Sequence, residues 1–147
     1  MELFNNKKHK LFAKTVLDAA EQCSKSSEEE GGIILSRDDE YKFVKVKNIH
    51  TGTEKAYGLY ETDKKDLLQQ VFSQFDSGWF MCASFHTHPT FGPTPSTIDV
   101  KNLFEGFRYN VIYSTISDMF SYSEWLEENS TVCYIPAASF EKIRDQK

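Results

Sequence analysis

Residues 79–99 read WFMCASFHTHPTFGPTPSTID, and the character of the chain changes twice along them. The first seven, 79–85, are rich enough in aromatic and apolar side chains to form a central strand buried on both sides. Residues 87–95 hold three of the chain's four prolines together with Gly92, so they form a loop. Ser96-Thr97-Ile98-Asp99 then opens a helix that runs to Phe104, with Ser96 and Asp99 spaced as an N-terminal capping box. The unit is strand, loop, helix, and it carries the only concentration of histidine in the sequence.

Working outward, Leu11, Phe12, Val16, Ala19, Ala20 and Cys23 recur at helical spacing and predict an amphipathic helix over 8–24. The polar connector SKSSEEEGG leads into Ile33-Ile34-Leu35, a run too short for a helix and read as a buried strand. Apolar and polar residues alternate over 41–49, and a second extended run covers 55–60 after Thr51-Gly52-Thr53, which pairs the two as a hairpin with one exposed face. Thr62 serves as N-cap for a helix over 63–76 whose Leu67, Leu68, Val71, Phe72 and Phe75 share a face, and Gly78 ends it. Beyond the histidine unit, 110–116, 119–123 and 131–135 read as strands and 137–144 as a closing helix. The order of elements predicts an α/β fold: one domain over 1–147, a single mixed sheet with helices on both faces, and a site at the end of the strand over 79–85.

His86 and His88 lie two apart at a strand end, where the period of two puts both imidazoles on one side. Asp99 follows in the first turn of the next helix, where a returning loop carries its carboxylate over the strand end. Two nitrogens and one oxygen leave a tetrahedral position open for water, the arrangement of catalytic rather than structural zinc. Singly, a strand-end histidine is more often structural, and Ser-x-x-Asp is equally a capping box. Together, His-x-His-Pro and Ser-x-x-Asp require five residue types in fixed register at one junction, which favours a metal site with His86, His88 and Asp99 as ligands. Ser96 both caps the helix and offers a hydroxyl to a carbonyl oxygen bound there. Cys82, Ser84 and His86 share a face by the same period, which turns a thiol toward the site side, although core packing is the commoner use of a free cysteine in such a run. Phe91 lacks a periodic reason to be buried and is a candidate substrate contact.

His86-Thr87-His88-Pro89 followed by Pro95-Ser96-Thr97-Ile98-Asp99 resembles the signature of the JAMM/MPN (JAB-type) zinc metalloproteases. In that family a glutamate three residues before a strand-opening glycine acts as general base. Taking Gly32 as that glycine makes Glu29 the base; taking Gly31 selects Glu28, and Glu30 is adjacent. The resemblance implies a three-layer, deaminase-like architecture and a Zn2+ ion on His86, His88 and Asp99. It also implies hydrolysis of the isopeptide or peptide bond after the C-terminal tail of a ubiquitin-like protein, with E1/E2-like conjugation enzymes in the same pathway. Trimming of a sulfur-carrier tail, or a non-catalytic scaffold, are the alternatives it leaves open. Ser36 departs from the family pattern, standing where a second glycine often follows the strand.

Composition narrows the classes further. The 147 residues carry 17 Lys+Arg against 22 Asp+Glu, a net charge of −5, so a counterion-displacing nucleic-acid surface is not expected. With 39% hydrophobic and 27% charged residues the chain is globular in composition. No apolar run approaches the ~20 residues of a membrane span and the polar start has no signal-type apolar stretch, so a cytoplasmic protein is expected. Three widely spaced cysteines without C-x-x-C argue against a disulfide framework and a cysteine zinc site, and the P-C-x-x-C segment of zinc deaminases is absent.

Overall fold

The computed structural model describes residues 7–100, 107–125 and 130–146. Six strands form one mixed sheet in the order β2-β1-β3-β4-β5-β6: β1 (Gly31–Arg37), β2 (Glu40–Val46), β3 (Phe80–His88), β4 (Tyr109–Ser114), β5 (Met119–Trp125) and β6 (Ser130–Pro136). Only β3 and β4 run parallel; every other neighbouring pair is antiparallel. Among the described residues four α-helices accompany them: α1 (Lys7–Cys23), α2 (Lys64–Gln70), α3 (Thr97–Asp99) and α4 (Ala137–Arg144). The expected continuation of the α3 helix to Phe104 lies outside the described residues beyond Val100.

The sheet is covered on both faces, as the alternation within β1 requires. Ile34 joins Ala83, Phe85, Val111 and Phe120 beneath α1 and α4, which contribute Phe12, Val16, Ala19, Phe140 and Ile143. Ile33 and Leu35 point the other way, into a second core with Val46, Val71 and Trp79 that Leu67 of α2 helps to cover. Two cations approach the Trp79 ring, the Arg37 guanidinium at 4.4 Å and the Lys42 ammonium at 4.3 Å from its centroid.

Four expectations need correction. The run over 55–60 is not a strand: Glu54–Tyr57 is a 3₁₀ helix, and β2 pairs with β1 instead. The buried side chains there are Ala56 and Tyr60, and the run is held by long-range bonds rather than a strand ladder: the Ala56 carbonyl accepts from the Glu29 amide, and the Tyr60 hydroxyl donates to the Val46 carbonyl. The helix over 63–76 breaks at the buried, β-branched Val71 into α2 and a 3₁₀ helix, Phe72–Ser77, in which Phe72 and Phe75 are exposed, as Leu68 is in α2. Its N-cap is Asp63, whose carboxylate accepts from the Lys65 and Asp66 amides, rather than Thr62. Finally, the β1–β3 register pairs Ile34 with Ala83 but Leu35 with Met81, so Cys82 is an extra residue in a bulge. The bulge breaks the period of two, and Cys82 packs half-buried on the α1/α4 side, away from the histidines.

Beyond the bulge β3 regains its alternation and extends to His88, three residues further than expected. Gly31 and Gly32 open β1 where neighbouring backbone approaches closely. A Cβ on Gly31 meets the Phe85 carbonyl at 2.1 Å, and one on Gly32 meets the Val44 carbonyl at 2.1 Å. Gly31→Ala and Gly32→Ala are therefore each expected to cost about 3 kcal/mol, at the upper end of overpacking penalties, read as a lower thermal midpoint. Gly58→Ala, with nothing within 4 Å of its Cβ, is expected to leave the midpoint in place.

Candidate metal centre

Three segments meet at the carboxyl end of β3. Strand β3 presents His86 and His88 on one face, the residue before Glu30 and β1 presents Glu29, and α3 presents Asp99. Gly31 is paired directly with His86, which sets Glu29 close to the first histidine. Asp99 is aimed by a complete capping box: the Ser96 hydroxyl oxygen accepts from the Asp99 amide at 3.0 Å, and the Ser96 amide donates to Asp99 Oδ2 at 2.9 Å.

All four side chains are buried, and their ligand atoms lie within 4.8 Å of one another. His86 Nε2 is 3.2 Å from His88 Nε2. Asp99 Oδ1 is 3.1 Å from His86 Nε2, and Asp99 Oδ2 is 3.1 Å from His88 Nε2. Glu29 sits further out, with Oε1 3.8 Å from His86 Nε2. The Gly92 carbonyl accepts from His88 Nδ1–H at 2.8 Å, which turns Nε2 toward Asp99 and leaves it as the nitrogen that can ligate a metal. His86 is held differently: its Nδ1 has no hydrogen-bond partner, and its ring stacks on buried Tyr60 at 5.6 Å and 9°.

Lone pairs that converge at these distances repel unless protons or a cation stand between them. Both Glu29 carboxylate oxygens are buried without a hydrogen-bond partner, an expensive arrangement in a protein that uses no ion there. A set of two imidazole nitrogens and two carboxylates suits a divalent transition metal, so the residues present fit a metal ion. Burial pushes the Glu29 carboxyl up to about 9 in the metal-free protein, with the Asp99 charge adding to it. Burial acts the same way on Asp99, but the His86 charge and the hydrogen bonds from His86, His88 and Ser96 outweigh it and hold that carboxyl well below its usual range.

Of the three acidic residues 28–30, only Glu29 enters the group. Glu28 accepts from the Gly52 amide at 3.0 Å, and Glu30 pairs with Lys45. Phe91, expected as a substrate contact, packs half-buried on His88 with ring centroids 4.2 Å apart. Thr87 and Pro89 hold the loop: the Thr87 hydroxyl oxygen accepts from the Glu30 amide at 3.1 Å, and the Pro89 carbonyl accepts from Thr115 at 3.3 Å. The Tyr60 stack is absent from the sequence reading, because an aromatic in a run taken for a strand carries no sign of facing a histidine.

A family model described as prokaryotic homologs of the JAB domain matches residues 13–127. The solution structure of protein DSY2949 from Desulfitobacterium hafniense has a similar fold, with a TM-score of 0.58 at 17% identity over 87% of this chain and 86% of that one. No curated protein matches the sequence. No helix among the described residues is long and apolar enough to cross a membrane.

The metal-free protein has a testable pH dependence. Between pH 4.5 and about 9 Glu29 is protonated when folded and ionised when unfolded, so folding takes up a proton and stability falls as pH rises. Chemical denaturation of chelator-treated protein across that range is expected to show this decline, and Glu29→Gln to remove most of it.

Proposed function

The chain belongs to the prokaryotic JAB-domain family, and from that premise we propose that it is a zinc-dependent peptidase or isopeptidase. Its bond would be the one after the C-terminal tail of a ubiquitin-like protein, cleaved in precursor processing or deconjugation alongside E1/E2-like enzymes in the cytoplasm. The observation that carries the reading is the asymmetry of the four buried groups. Asp99 reaches both histidines at 3.1 Å, as a third ligand does, while Glu29 stands to one side with both oxygens unpartnered, as a base does.

His86, His88 and Asp99 would hold the ion, which supplies Lewis acidity toward a carbonyl and lowers the pKa of a water to roughly 7. The remaining roles belong to side chains. Glu29, as the carboxylate beside the ligand group, accepts the proton of the attacking water and returns it to the leaving amine. The fixed Nδ1–H bond to Gly92 keeps His88 in the tautomer that can ligate. The Ser96 hydroxyl oxygen accepts from the Asp99 amide, and its own hydrogen is available to the scissile carbonyl oxygen as charge develops there. All ligand positions are filled, so nothing in the chain favours a scaffold that has lost its metal. Sulfur-carrier tails and ubiquitin-like tails call for the same chemistry and are separated by substrate profiling.

The zinc-loaded protein is expected to release the reporter from a fusion to a ubiquitin-like tail, and to stop doing so when chelated. Glu29→Gln is expected to keep its zinc but lose about 10²–10⁴-fold in rate, the usual contribution of a general base. His88→Ala is expected to lose both zinc and turnover while staying folded. Wild-type turnover in Glu29→Gln contradicts the mechanism.

A further inference from the structure

Asn48 lies just past the end of β2, outside the metal-binding group, and is 3% exposed. Every hydrogen-bonding position of its amide is used. Nδ2 donates to the Glu29 carbonyl at 2.9 Å and to the Leu59 carbonyl at 2.8 Å. Oδ1 accepts from the His50 amide at 3.1 Å and the Glu61 amide at 3.3 Å. The Leu59 carbonyl and the Glu61 amide belong to the two peptide groups on either side of Tyr60, the residue whose ring backs His86. One side chain thus ties the backbone of Glu29 to both flanks of the ring that orients a histidine.

His86 makes this consequential. Histidine ligands usually take their orientation from a hydrogen bond at the second nitrogen, and His86 Nδ1 has none. Its orientation depends on the Tyr60 ring, and the Tyr60 ring depends on the segment 48–62. Regular pairing does little to hold that segment: a single bridge, Asn48 to Thr62, closes it, and the Tyr60 hydroxyl donates to the Val46 carbonyl at 2.8 Å. Glu29 hangs from the same segment, its amide bonded to the Ala56 carbonyl and its carbonyl to Asn48.

We propose that Asn48 is a positioning residue that locks Glu29 and the Tyr60–His86 stack into one unit, so that the metal ligand and the base keep a fixed separation. The proposal rests on the reading of Glu29 as base and His86 as ligand. Its direct readout is nevertheless metal affinity, which needs no substrate.

The test measures zinc affinity and the cobalt(II) absorption spectrum for the wild type, Asn48→Ala, Asn48→Asp and Tyr60→Leu, with His50→Ala as a loop control. Asn48→Asp keeps the two acceptor bonds and loses both donor bonds, which isolates the tie to Glu29 and Leu59. Asn48→Asp and Tyr60→Leu are each expected to weaken zinc about 10–100-fold and to change the cobalt spectrum, with the double variant no worse than the stronger single one. His50→Ala is expected to bind as the wild type does. If Asn48→Ala fails to fold, Tyr60→Leu still tests the route through the ring. Wild-type affinity and spectrum in folded Asn48→Asp, or in Tyr60→Leu, overturn the proposal. On a cleaved fusion, Asn48→Asp is expected to lower kcat about 10–100-fold with KM unchanged. If the wild type cleaves no fusion, the peptidase reading fails and the metal measurements still decide the role of Asn48.

Discussion

Two imidazole nitrogens 3.2 Å apart, bridged by a carboxylate and faced by a second buried carboxylate, form the arrangement around which this structure is organised. Without protons or a cation between them such groups repel, and desolvation makes each charge dearer still. The fold supplies the restraint through backbone hydrogen bonds and packing. The Gly92 carbonyl holds one ring, Tyr60 backs the other, and the Ser96 capping box aims Asp99 between them. A cation held among these residues would convert the repulsion into binding energy.

The surrounding sheet serves the same end. The single parallel step between β3 and β4 places the carboxyl end of β3 where the chain must leave for α3, and this is where open α/β sheets commonly bind ligands. Gly31 allows β1 to lie against His86 without a Cβ between them, so Glu29 arrives beside the histidine rather than a residue's width away. The bulge at Cys82 re-phases β3 just before its functional end. The thiol packs with the hydrophobic core, while Ser84, His86 and His88 keep the opposite face.

Where local chemistry dictates structure, the sequence was readable. Proline density marked the loop after His88, the helical period marked α1, and Ser96 with Asp99 announced the cap that the structure contains. The short apolar run at Ile33 marked β1. Where tertiary contacts override local pattern, it was not. Residues 55–60 resemble a strand until Ala56 and Tyr60 are seen to be held inward by long-range bonds. Phe72 and Phe75 fit a helical stripe that a 3₁₀ turn then rotates into solvent. Of three consecutive glutamates, spacing left the choice open, whereas geometry is unambiguous: one is buried in the group and the other two are committed to Gly52 and Lys45. Tyr60 and Asn48 carried no local signal, because their partners are separated from them along the chain and meet only in the fold.

Titration calorimetry of zinc into the chelator-stripped protein, with Asp99→Ala in parallel, tests most directly whether His86, His88 and Asp99 hold one metal ion beside Glu29. The account predicts a single site per chain in the wild type and loss of that site in the variant, with both proteins equally folded. Absence of zinc uptake by the folded wild type, or undiminished uptake by Asp99→Ala, would contradict it.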